Sequence, residues 1–154
     1  MKRRIGVLAA AVLMLAAAAV LLAQGDPFVG TWTLNVAKSK FNPGPAPQSS
    51  TRTWDASGMV MVNGINAAGK ATSYGYTIKN DGKEYATMGA IPNTADKISA
   101  KKVDANTYEA IFTKDGKQVE TTSFKLSNGG KTLTIHAIGT SPAGPFDNLQ
   151  VWEK

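Results

Sequence analysis

The side chains able to do chemistry in this chain are few. There is one histidine, His136, and no cysteine. That excludes a thiolate nucleophile, a cysteine zinc site and disulfide staples, and a single imidazole cannot supply a multi-histidine metal centre. The sequence holds no Gly-x-Ser-x-Gly elbow, no His-Glu-x-x-His and no phosphate loop. Asp55, Asp81, Asp96, Asp104, Asp115 and Asp147 fall singly beside turn residues, where Asp is favoured because its carboxylate bonds to the local backbone. Glu109 and Glu120 fall on neighbouring predicted strands, and they meet only in a register that puts both on one face. Neither an enzyme nor a cofactor site is expected.

Binding is the chemistry left. Beyond the first 25 residues Arg52 is the sole arginine, and it stands two positions from Trp54, hence on the same face of a strand. Facing solvent, it would lie across the aromatic face as an ordinary surface residue. Facing inward, a lone guanidinium is costly and would hold a carboxylate or phosphate, from an Asp or Glu or from a ligand. Trp152 shares its face with Gln150 as Trp54 does with Arg52, a mixture that suits a cavity wall and a barrel exterior alike. Tyr74, Tyr76, Tyr108, Phe112 and Phe124 are expected in the core or along a cavity, with Met59, Met61 and Met88 as adaptable filling. The expected ligand contacts are therefore Arg52, Trp54, Tyr74, Tyr76, Tyr108, Phe112, Phe124, Gln150 and Trp152. Trp32, a large apolar side chain needing one hydrogen-bond partner, is expected to plug one end of the fold together with Gly30.

The elements that must carry these residues are strands. Turn formers recur about every dozen residues, from Ser57-Gly58 to Ser141-Pro142, a spacing that fits a strand and a tight turn repeated. Between them Thr72, Tyr74, Tyr76 and Ile78 share one face, as do Tyr108, Ala110 and Phe112, and Leu133, Ile135 and Ala137. Ten strands are predicted: 28–35, 50–56, 59–66, 71–79, 83–90, 96–103, 107–114, 117–127, 131–140 and 147–153. A long twisted meander leaves open edges unless it closes. The expected class is all-β, an up-and-down antiparallel barrel of about 8–10 strands, with a two-sheet sandwich as the alternative. The one long connection, 36–49, carries Pro43, Pro45 and Pro47, which forbid a helix and favour an extended strap. Such a strap either braces one end of the barrel or gates a cavity mouth.

Composition divides the chain once. Residues 1–25 open on Lys2-Arg3-Arg4, continue through the apolar stretch 5–23 and end on Ala23-Gln24-Gly25, the pattern of a cleaved signal peptide. The apolar stretch is also long enough for an uncleaved anchor. Export to a periplasm or the outside follows, with 26–154 as one domain. Without the leader's three cations the formal charge falls from +6 to +3, too little to argue for nucleic acid. Membrane contact is expected only through an uncut leader, and the domain is expected to be a monomer.

The segment Phe28-Val29-Gly30-Thr31-Trp32-Thr33-Leu34, followed by Lys38-Ser39-Lys40-Phe41, resembles the opening strand of the calycins, the lipocalins and fatty-acid-binding proteins, whose signature is Gly-x-Trp. Gln150-Val151-Trp152-Glu153-Lys154 is similar to the last strand of fatty-acid-binding proteins. The strap and leader resemble those of secreted bacterial lipocalin-like domains. The resemblance implies a barrel with an internal cavity. It also shows departures: the strap replaces two helices, Gln150 and Trp152 replace the carboxylate-binding Arg-x-Tyr, and the last-strand arginine that packs on the signature tryptophan in lipocalins is absent. Some calycins bind haem through a late histidine, which makes His136 a minor haem candidate, although Leu34 and Val36 stand where their fuller signature has glycine.

The functional expectation is an exported carrier of a small hydrophobic or amphipathic molecule inside the barrel. The alternative is a non-enzymatic envelope interaction module with a filled barrel. After the leader, 47 of 129 residues are apolar, a modest filling that favours a cavity.

Overall fold

A computed structural model describes residues 25–154, so the leader expected before them lies outside the described residues. Eleven antiparallel strands follow one another: β1 (Gly30–Leu34), β2 (Ser49–Trp54), β3 (Met59–Ile65), β4 (Ala71–Thr77), β5 (Glu84–Ala86), β6 (Met88–Gly89), β7 (Lys97–Asp104), β8 (Thr107–Lys114), β9 (Lys117–Ser127), β10 (Thr132–Ser141) and β11 (Gly144–Glu153). They form one sheet in the order β5-β7-β8-β9-β10-β11-β1-β2-β3-β4-β6. This is an up-and-down barrel, nearly closed, and the two-sheet alternative is excluded by the continuity of the sheet. Among the described residues no helix is long and apolar enough to cross a membrane.

The predicted strand 83–90 is divided. Its first part, β5, pairs with β7 (Tyr85 opposite Ile98), and its second, β6, pairs with β4 (Tyr74 opposite Gly89). One stretch of chain thus crosses the seam, holding first one edge and then the other. The remaining closure joins the first strand to the last, with Thr33 opposite Glu153 and Leu34 opposite Trp152.

Alternation decides which side chains fill the cylinder, since successive residues of a strand point to opposite faces. The three same-face sets predicted above all turn inward: Tyr76 and Ile78 are buried, as are Tyr108, Ala110 and Phe112, and Leu133, Ile135 and Ala137. Their partners across the register belong to the same core, Tyr108 opposite Phe124 and Leu133 opposite Trp152. The opposite face of β10 carries His136, which is exposed and bonded to Asp147 at 2.7 Å. It points out of the barrel, so it cannot hold a haem within it.

The interior is not uniform along its axis. At the base Phe28 contacts Trp54 (4.9 Å between ring centres) and Tyr108 (5.0 Å), while Trp54 meets Phe124 edge to face at 5.9 Å. Contacts of this geometry contribute about 0.5–1.5 kcal/mol each beyond the area they bury. Trp32, fully buried, donates its indole N–H to the carbonyl of Phe28 at 2.9 Å, and Tyr108 donates to Asp26 at 3.0 Å. Lys154 closes the end from outside. Its Nζ lies 4.3 Å from the centre of the Trp32 ring and donates to the carbonyls of Pro27 (3.0 Å) and Val29 (2.8 Å). Gly30 makes room for it: a Cβ there would stand 2.8 Å from Lys154 Cε, at a φ of +143° that other residues rarely adopt. A cation is thus packed on Trp32 by Lys154, one residue beyond the end of β11.

Candidate functional site

Above the aromatic base the barrel is hollow. A cavity of about 360 Å3 runs from Arg52, Tyr76 and Trp152 upward to the strap, room for roughly a dozen waters and within the size range of small-molecule sites. The strap forms its lid. Val36–Lys38 make a single 3-10 turn, after which Lys40 and Leu149 exchange backbone hydrogen bonds at 2.7 and 2.8 Å, and Asn42 accepts from the Asp147 amide at 2.8 Å. The strap thereby takes the place beside β11 that β1 vacates after pairing only at its Glu153–Trp152 end. Phe41, Pro43, Pro45 and Pro47 line the mouth. Gln48 rejoins the sheet through the Ile65 carbonyl at 2.9 Å.

Arg52 is the central finding. Of the two readings, the solvated surface residue is overturned: Arg52 is 3% exposed and faces inward, opposite Trp32 on one side and Val62 on the other. Its Nη1 donates to the Tyr76 hydroxyl, and its guanidinium lies 4.7 Å from the centre of the Trp152 ring. Gln150 orients that ring by accepting the Trp152 indole N–H at 3.1 Å. No carboxylate among the described residues lies within 4.0 Å of the guanidinium, and its Nε is buried without a hydrogen-bond partner. Unpaired buried charges of this kind are costly, and native proteins leave few of them. Because Tyr76 accepts from Arg52, its own proton is left to be donated. Burial raises the Tyr76 pKa although the Arg52 charge opposes the rise, so the phenol keeps that proton.

Glu120 provides the second ionisable wall. A β-bulge leaves Val119 out of the β8–β9 ladder, where Phe112 pairs with Glu120 but Thr113 pairs with Gln118, and Glu120 continues the inward series of Thr122, Phe124 and Leu126. Gly139, directly opposite, permits the close approach: a Cβ there would stand 2.2 Å from the Val119 carbonyl oxygen. The carboxylate accepts from Thr122 and, at 2.6 Å, from Asn93. The Asn93 amide is oriented by accepting the Ala95 N–H at 2.9 Å. Burial raises the Glu120 pKa, and the bonds from Thr122 and Asn93 and the Arg52 charge hold it down. Glu109, on the outer face, instead pairs with Lys101 at 3.4 Å.

The cavity thus assembles six of the expected contacts: Arg52, Tyr74, Tyr76, Phe112, Gln150 and Trp152. Trp54, Tyr108 and Phe124 are corrections. They face inward, yet they lie lower and close the base with Phe28, because strand stagger, not alternation, sets height along a barrel axis. Glu120, Thr122 and Asn93 were missed as site residues. The first two carried a signal, the alternation with Phe124 and Leu126; Asn93, in a loop, carried none. Among the described residues no group of three His, Asp or Glu side chains converges as a metal site. Compared with protein-family models and with curated proteins, the chain matches none.

Proposed function

We propose that this protein is an exported, calycin-like binding protein that holds a small amphipathic anion in the upper half of its barrel. The observation that carries the reading is Arg52, 3% exposed, without a counter-ion within 4.0 Å and with a free Nε at the floor of a 360 Å3 cavity. A carboxylate there would take charge-assisted hydrogen bonds from Arg52 and the Tyr76 hydroxyl, while its apolar part would lie among Phe112, Ile135, Ala137 and Phe41. Area burial at about 25 cal/mol per Å2 would supply most of the affinity. The calycin resemblance gains support from the lysine on the signature tryptophan, and export rests on the leader's pattern.

A filled barrel working only through its outer surface would leave the hollow half and a buried cation without a direct ion-pair partner unexplained, so binding inside is the better account. The test is identification of small molecules that co-purify with the protein from its own host, by native mass spectrometry and extraction. Dodecanoate titrated into ligand-free protein serves as a defined probe. An acidic amphipath retained by wild type and lost on Arg52→Met supports the reading. A protein that retains nothing and ignores dodecanoate overturns it.

A further inference from the structure

We propose that Glu120 is a second recognition point in this cavity, selecting acids that also carry a hydrogen-bond donor, a hydroxyl or an ammonium group, partway along their length. This rests on the reading of the cavity as an anion site and adds which anions it takes.

The cavity wall contains one basic and one acidic side chain, Arg52 and Glu120, and they are not within 4.0 Å of each other. They also stand at different depths. The guanidinium lies among the rings of Trp152, Tyr76 and Phe124, 4.7, 5.7 and 5.9 Å from their centres. Glu120 lies four residues along β9 from Phe124, toward the mouth, roughly 13 Å of tilted strand; it is near enough to feel the Arg52 charge, and its carboxylate is fixed between Thr122 and Asn93. An acid whose head reaches Arg52 and whose tail runs to the strap shares the cavity with Glu120 along that length.

What it meets there is an acceptor. The Asn93 amide, locked by Ala95, can present only its NH2 to Glu120, and a carboxylate offers about four acceptor positions, of which two are used. A plain methylene chain laid across the remaining positions removes their water and returns nothing, the kind of loss by which polar sites reject analogues that lack the matching group. A hydroxyl or ammonium at that point restores the bond, and an ammonium also meets the charge. Of the other groups near Glu120, Arg52 on β2 is cationic and Tyr74 and Tyr76 on β4 stay protonated, since burial raises both phenols. Its partners opposite, Phe112 on β8 and Gly139 on β10, cannot ionise.

The experiment is calorimetric titration of the purified protein with dodecanoate, with dodecanoates bearing one hydroxyl at successive carbons, and with aminododecanoate. At least one substituted acid should bind about tenfold or more tighter than dodecanoate. Titrations in two buffers of different ionisation enthalpy should show proton uptake for dodecanoate, because covering Glu120 favours its protonated form, and less uptake for the preferred acid. Glu120→Leu should abolish both the preference and the uptake. If that variant does not fold, Glu120→Gln, which keeps the shape and one acceptor oxygen, should abolish the uptake. Equal affinities across the series in wild type, or an unchanged ranking in Glu120→Leu, would overturn the proposal while leaving the anion site standing. Failure of every acid to bind would remove the anion site and this proposal together.

Discussion

Replacing Arg52 with methionine should strengthen the empty barrel and weaken its hold on an acid. In the folded protein the guanidinium has one neutral hydrogen bond, to Tyr76, one close aromatic face, Trp152 at 4.7 Å, and an orphaned Nε. Losing the bond costs about 1 kcal/mol. Losing a desolvated cation–π contact costs about 2 kcal/mol, of which a thioether against the same ring recovers about 1 kcal/mol. Against these losses, relieving the unsatisfied Nε returns about 1–3 kcal/mol, and removing a buried charge with no ion-pair partner within 4.0 Å returns several more, less the attraction it exerts on Glu120 and whatever water in the open cavity already provides. The net expectation is a gain of about 1–2 kcal/mol, or roughly 4–8 °C in Tm for a domain of this size. Acid binding should fall at least tenfold, since charge-assisted hydrogen bonds of about 1.5–3 kcal/mol disappear. Urea unfolding of ligand-free protein and dodecanoate titration read the two effects separately. A ligand-free variant less stable than wild type by more than about 1 kcal/mol would refute the reasoning, because Arg52 would then be a satisfied structural cation.

Three further outcomes follow from other parts of the barrel. Burial makes folded Glu120 keep its proton above the ordinary value of 4.5, so between that value and the raised one the folded chain binds more protons than the unfolded chain and stability falls as pH rises. Glu120→Gln removes this loss: its stability relative to wild type should rise with pH above about 4.5 and level off below it, measured by urea midpoints across the range. Lys154→Ala strips two backbone bonds and the cation over Trp32, and should cost about 1–3 kcal/mol with a shift in tryptophan emission, leaving acid affinity unchanged. Gly139→Ala forces a Cβ to within 2.2 Å of the Val119 carbonyl; about 1–3 kcal/mol of stability should be lost, and the preference among substituted acids should shrink as the bulge and Glu120 move.

Much of the fold was legible because its cause is local. Tyr108, Ala110 and Phe112, or Leu133, Ile135 and Ala137, announce a buried face by period two alone, and all of them are buried. The strap was equally readable, since its three prolines exclude a helix wherever they sit. The orientation of Arg52 was not readable. Arg52 and Trp54 share a face on any reading, but which face points in is decided by pairing with Trp32 and Val62, information spread over three strands. The height of each side chain was hidden for the same reason: Trp54 and Tyr108 face inward and still miss the cavity. Lys154 escaped notice because its role exists only after closure brings the end of the chain onto Trp32. Glu120 was the avoidable omission. It sits in step with Thr122, Phe124 and Leu126, a pattern more telling than its place on the strand next to that of Glu109, for which alone the sequence singled it out.

The grip of Lys154 on the carbonyls of Pro27 and Val29 brings the two ends of the domain together at its base, away from the strap. A tether entering at residue 25 would therefore hold the barrel like a cup on a stem, its opening turned from the surface to which the stem is fixed. Joining the ends with a short linker and cutting at the Asp115-Gly116 hairpin should give a permuted barrel with the same interior, and a reporter fused at either terminus should leave the rim unobstructed.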